Sequence, residues 1–271
     1  MDLLTRVAMR FCGKARHKAR MCTVILLRRP GAEWPLLLAA NRDERLDRPW
    51  EPPAEHWPGV VGGRDTLAGG TWMAMNRHGV VAAVLNRAGS LGPDPAKRSR
   101  GELPLLALGE ATAAAAAARM AALDAMLWRP FNLVLADGAT AWFIAGLGSA
   151  CPEAMALPEG VSMVTAHPPN DLTSPRTARH LPRFEAAAPP NPPDWGGWPD
   201  LLSDPEGATA QALNVPPLGG FGTVCSSLVG LSRGGERHWL FAPGPPDRVD
   251  FTPVMLGDQA RVPRMSKPAI C

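Results

Sequence analysis

Apolar residues recur along this 271-residue chain in short unbroken runs separated by turn chemistry. The runs at 22–27, 35–41, 71–75, 80–86, 131–136 and 141–145 are strand-sized. Arg28-Arg29-Pro30-Gly31, Asn76-Arg77-His78-Gly79 and Asp137-Gly138 supply the turn residues that join them into hairpins. Their continuous apolarity predicts strands covered on both faces. Residues 223–231 and 237–241 read as a last hairpin.

One block, from about 102 to 128, is rich in Ala, Leu, Met, Arg and Glu and reads as helix. Ser99 and Glu102 offer a capping box, and Pro104 suggests a start nearer that residue. Residues 186–206, rich in Pro, Gly, Asp and Trp, read as a surface connection with Leu201 and Leu202 in a short helix. Gly146-Leu147-Gly148 reads as a turn, because the third glycine and following helix of a nucleotide fingerprint are absent. Strands, then helices, then strands predict an α+β layered domain. No repeat or composition shift marks a second domain, so we expect a basic leader at 1–20, one domain at 21–262 and a tail at 263–271.

Composition changes this picture little. A 46% hydrophobic content suits a folded domain, and no uninterrupted apolar run approaches the ~18 residues of a membrane-spanning helix. Cys12, Cys22, Cys151, Cys225 and Cys271 are odd in number and far apart, which gives neither a disulfide framework nor a metal or redox pair and favours a cytoplasmic protein. The six histidines lack ligand spacing, so no structural zinc and no metal is expected.

Charge changes it more. Residues 1–20 hold six basic side chains against Asp2, leaving 22 basic and 24 acidic residues in the remainder. The leader therefore carries the basicity, and a globally basic surface for nucleic acid is not supported. The leader has no secretory apolar core. It is either an Arg-rich targeting or disordered arm, or sequence upstream of a true start at Met21. Starting at Met21 and losing that methionine would expose Cys22, placing a thiol and an α-amine on one residue. That amine, of ordinary pKa about 7.7–8.0, can act as a local base at neutral pH.

Met21-Cys22-Thr23, followed at a strand end by Asn41-Arg42-Asp43-Glu44, resembles the NRDE family, whose eukaryotic members are called transport and Golgi organisation protein 2. The resemblance runs from Met21 to about Val254 and takes in Arg48-Pro49, Gly69-Gly70-Thr71-Trp72, Asn76 with Gly79, Asn86-Arg87 and Ser99-Arg100-Gly101. It implies a four-layer αββα sandwich of two antiparallel sheets, similar to N-terminal nucleophile hydrolases and to the cysteine amidases of bile salts and penicillin V. On that likeness Cys22 is the nucleophile, Arg42 and Asp43 organise its thiol and amine, and Asn86 donates to the oxyanion. Trp72, Asn76, His167 and Arg100 are the substrate-binding candidates.

Each of these residues also has a plainer reading. Arg42 and Asp43 could be a structural ion pair, Asn86 a turn residue, Trp72 core and Arg100 a surface side chain at a helix start. Gly62-Gly63 and Gly69-Gly70 read as a flexible loop beside the site. Further along the likeness thins. His167 stands near where the amidases carry a second asparagine, and Val224 and Cys225 stand where they carry an arginine. Cys225 with His167 is a possible second nucleophile and base, against the reading of Cys225 as a buried strand residue. The expectation is an amidohydrolase acting on a C–N or ester bond of a small molecule. The alternative is a non-catalytic haem or lipid carrier using the same pocket, since the family is linked to haem trafficking and lipid homeostasis. Neither needs a cofactor beyond haem as a ligand, nucleic acid or stable membrane insertion.

Overall fold

A computed structural model describes residues 22–90 and 94–257. The segment 1–20 and the tail at 263–271 lie outside the described residues. The first half contains strands β1 (Thr23–Arg28), β2 (Leu36–Arg45), β3 (Trp50–Trp57), β4 (Val60–Asp65), β5 (Met73–Asn76) and β6 (Val81–Asn86). Helices α1 (Glu102–Ala107) and α2 (Ala113–Ala121) follow, then β7 (Phe131–Ala136), β8 (Ala141–Gly146), β9 (Glu153–Ala156) and β10 (Gly160–Val164). The chain continues through α3 (Pro175–Ala186), α4 (Trp198–Leu202), β11 (Phe221–Leu231), β12 (Arg237–Ala242) and β13 (Thr252–Pro253).

The strands form two antiparallel sheets. One has the order β10-β1-β2-β11-β12-β13 and the other runs β3 to β9 in sequence. Strand alternation decides what lies between them. Val24, Leu26, Leu36 and Leu38 meet Met73, Ala83, Leu85, Val134 and Phe143 in the inter-sheet core. Ile25, Leu37 and Ala39 face the other way, onto Leu181 and Phe184 of α3 and Trp198 and Leu202 of α4. On the far side Ala82, Phe131, Leu133 and Leu135 pack on Leu103, Ala116 and Met120 of α1 and α2. The result is the four-layer αββα sandwich, and the unbroken apolar runs are strands buried on both faces.

Several expectations are corrected. The helical block at 102–128 is two helices and a 3₁₀ turn at Ala125–Leu127. Asn76 accounts for the break, because its Nδ2 donates to the carbonyls of Leu108 and Glu110 at 2.9 and 2.7 Å just past the end of α1. Thr112 then caps α2 by accepting from the Ala115 amide. No capping box forms at α1, whose cap position is Gly101 without a side-chain bond. The 186–206 segment is no plain surface connection, since Trp195 and Trp198 are buried against the sheet. Gly62 and Gly63 belong to β4 rather than to a loop. A Cβ on Gly63 would lie 2.1 Å from the Trp72 ring, so the glycine leaves the room that this ring occupies. Strands β3, β4, β9, β10 and β13 and helix α3 had no clear sequence signal; α3 carries Pro182 in its interior, which breaks the helical pattern.

Candidate functional site

The site lies where β1, β2 and β11 end together. Cys22 immediately precedes β1, and the β1–β2 register pairs Thr23 with Asn41, bringing Cys22 beside Arg42. Alternation along β2 splits the Asn-Arg-Asp-Glu run between faces. Asn41 and Asp43 turn toward the α3–α4 layer, whereas Arg42 and Glu44 turn toward the second sheet.

Asn41 is structural: its Nδ2 donates to the carbonyls of Leu202 and Leu213, and its Oδ1 accepts from Ser226. Asp43 is buried and accepts at both oxygens. Thr223 Oγ1 donates to Oδ1 at 2.7 Å, and Arg176 from α3 donates to Oδ2 at 2.8 Å and to Thr23 Oγ1 at 2.9 Å. Thr223 in turn accepts from the Val215 amide, which leaves its hydroxyl proton for Asp43. Burial pushes the Asp43 carboxyl up, opposed by Arg176 and Thr223. Cys22 Sγ lies 3.6 Å from the Asp43 carbonyl oxygen, its thiol pushed up to about 12 by burial and then by the Asp43 charge, with Arg42 pulling it down.

A bulge completes the arrangement. Thr223 pairs with Asp43 and Cys225 with Arg42, so Val224 is the extra residue. The insertion sends the Thr223 hydroxyl to Asp43 and the Cys225 thiol to the opposite face.

Arg42 is 6% exposed and stacks 4.3 Å over the Trp72 ring. Its Nη2 lies 3.4 Å from Asp65, which also holds Arg48 at 2.6 Å, while Arg42 Nη1 is buried without a hydrogen-bond partner among the described residues. Two spaces meet at Cys22. Behind it, a small apolar cavity of about 20 Å³ is bounded by Val24, Ala40, Trp72, Leu85 and Cys225. In front, an open cleft of about 370 Å³ is lined by Arg42, Trp72, Asn86, Arg100 and a ring of further charged side chains.

The structure thus brings Cys22, Arg42, Trp72, Asn86 and Arg100 to one cleft, with Asp43 beneath. Asn86, the last residue of β6, makes no side-chain hydrogen bond among the described residues, which leaves its carboxamide available to a ligand. Two expected residues are elsewhere. Asn76 stands at the opposite end of its strand, with Oδ1 accepting from the His78 and Val80 amides, so it shapes a turn and does not line the cleft. His167 also does not line it; its carbonyl accepts from Asn132, and its buried Nδ1 has no hydrogen-bond partner among the described residues. Cys225 is a buried strand cysteine among Val224, Phe241 and Trp72, its thiol pushed up to about 12 by burial, and it makes no bond with His167. Sequence reasoning missed Arg176, which no motif flags, and Thr223, read only as a strand residue. Among the described residues no His, Cys, Asp or Glu cluster could hold a metal, and no helix is long and apolar enough to cross a membrane.

The two covered sheets with a cysteine at the head of β1 define an N-terminal nucleophile hydrolase-like fold. The Caenorhabditis elegans N-acylethanolamine-hydrolyzing acid amidase ortholog, a solved structure, superposes with a TM-score of 0.54 at 12% identity over 76% of this chain and 92% of that one. That likeness is one of fold. The chain belongs to the Transport and Golgi organisation 2 family, whose model matches residues 21–174. No curated protein matches it in sequence.

Proposed function

We propose that the protein is an N-terminal cysteine hydrolase that cleaves an amide, or an ester, in a small molecule. The observation that carries this reading is Cys22 at the junction of cleft and core, with Asp43 held beneath it and the unpartnered Asn86 carboxamide on the same cleft. The fold neighbour, described as hydrolysing N-acylethanolamines, lends support to amide cleavage as the reaction class.

The chemistry needs a free α-amine on Cys22. While residue 21 is attached, the Cys22 nitrogen is a peptide amide, and the thiol holds its proton to about 12. Release of the amine supplies a base on the same residue. The amine takes the thiol proton as sulfur attacks the carbonyl carbon, and Asn86 donates to the oxyanion. Collapse breaks the C–N bond, and the α-ammonium returns its proton to the leaving amine. Water then attacks the thioester with the amine again as base, releasing a carboxylic acid and restoring the thiol. Asp43 holds the strand end through Arg176, Thr223 and Thr23, and Arg42 supplies positive charge beside the sulfur.

A haem or lipid carrier has less in its favour. The apolar cavity has room for about one water molecule, and the larger cleft is lined with charge. The test uses intact-mass measurement with an amide panel, comparing protein beginning at Cys22, a form retaining Met21, and Cys22→Ala. Turnover should appear only with the free Cys22 terminus, with losses on the order of 10³ or more in the other two. Equal turnover by either of them would sink the mechanism.

A further inference from the structure

Arg100 stands in the wall of the cleft without a counter-ion among the described residues. Its Nη1 donates to the Ser90 carbonyl at 2.9 Å and to Ser90 Oγ and the Pro130 carbonyl at 3.1 Å, all neutral acceptors. Among the described residues its Nε and Nη2 make no hydrogen bond, and no carboxylate lies within ion-pair distance of it. The charges that act on it include Arg129 and Arg48, both of its own sign, and burial with Arg129 pulls its pKa down to about 10. Cys22 and Glu44 act in the other direction.

The acids of the cleft are committed elsewhere. Asp43 answers Arg176, while Asp65 and Glu44 answer Arg42 and Arg48. Asp94, on the rim, accepts from the Ala96 amide. A second donor points to the same need. Arg42 is more than nine-tenths buried, lines the cleft, and has an Nη1 with no hydrogen-bond partner among the described residues. If Arg100 served only to tie Ser90 to Pro130, a neutral amide would do so without the cost of a half-buried charge. An anion would answer the Arg100 guanidinium, which unlike Arg42 has no carboxylate beside it among the described residues.

We propose that Arg100 forms an anion subsite, so that the molecule cleaved at Cys22 carries a carboxylate or a phosphate close to its scissile amide. This rests on the reading of Cys22 as the nucleophile. Charge-assisted bonds to a fixed guanidinium select an anion over a neutral isostere. The open cleft admits either group, so the source is left to experiment.

The test separates the subsite from the chemistry. Cys22→Ala protein, which cannot turn over, is titrated calorimetrically with N-acetylglycine, N-acetyl-phosphoethanolamine and the neutral N-acetylglycinamide. One or both anionic probes should bind at least about tenfold more tightly than the neutral one, with the margin shrinking as salt rises. Whichever binds better names the source. Adding Arg100→Gln should abolish the preference, and Arg100→Lys should restore part of it. Equal binding of all three probes would overturn the subsite, and so would a preference that survives Arg100→Gln. If Arg100→Gln does not fold, the probe comparison with Arg100 in place still decides. Processed wild-type protein that prefers the anions yet cleaves no amide would retire the hydrolase reading and keep the subsite.

Discussion

Replacing Asp43 by Asn preserves the shape of the side chain and removes the charge that answers Arg176. Both partners are fully buried, at 2.8 Å. The loss takes the Asp43 charge away from a guanidinium in the core, and single truncation of such pairs costs about 3–5 kcal/mol. Urea unfolding of Asp43→Asn should show a loss of that order, and Asp43→Asn with Arg176→Met should recover part of it. A loss no larger than that of an exposed carboxylate would mean that the pair does not hold the strand end. The Asn41 to Glu44 run was legible in the sequence because its residues are adjacent, and position in a strand divides their tasks. Arg176 was not, because 133 residues separate it from Asp43 and nothing local distinguishes it from any other arginine. Asn76 was misread for the opposite reason. It sits among residues of the family pattern, yet every polar atom of its side chain serves the turn after β5 and the end of α1.

At the scale of elements, β1, β2, β6, β7, β8, β11 and β12 could be read from the sequence within a few residues, since runs buried on both faces leave little ambiguity. Elements that gain stability from distant contacts could not. Helix α3 is mostly polar, interrupted by Pro182, and buries Arg176, Thr177, His180, Leu181 and Phe184 on one face. His180 gives this helix a pH signature. Its Nε2 bonds the Gln211 carbonyl at 2.8 Å, and burial pulls its pKa down to about 4, with Asp204 opposing and Arg183 and Arg179 assisting. An unfolded chain binds a proton on this imidazole near pH 6.5, whereas the folded chain refuses it until about pH 4. Stability from this group is therefore complete above pH 6.5 and falls as pH drops toward 4. Urea midpoints between pH 7 and 4 should decline, and His180→Gln, which keeps a donor but does not titrate, should flatten the decline. An unchanged slope in that variant would assign it to other groups.

For the whole molecule, average charge concealed the feature that matters. The chain beyond residue 20 carries nearly balanced charge, yet folding gathers Arg42, Arg45, Arg48, Lys97, Arg98, Arg100 and Arg129 along one cleft. Such focusing raises the local concentration of anions without a basic overall composition. The cleft keeps its shape only if the two sheets are pinned beside it, and Asn132 on β7 provides one such pin. Fully buried, it donates from Nδ2 to the carbonyls of Thr165 and His167 beyond β10 of the opposite sheet, at 2.8 and 2.9 Å. Its Oδ1 accepts from Arg87 at 2.6 Å, and the Ala88 amide adds a bond to the Ala166 carbonyl at 3.2 Å. Asn132→Leu would fill the same space while stranding the carbonyls of Thr165 and His167. Each buried group left unsatisfied costs about 1–3 kcal/mol. The variant should lose stability on that scale, and hydrogen exchange should quicken first at the Ala88 amide, which depends on the same junction. Core amides such as those of β7 should quicken only as far as global stability falls. If Ala88 exchanges no faster than the loss of global stability requires, the sheets are held together by their apolar core alone, and the cleft owes its width to packing between strands rather than to this asparagine.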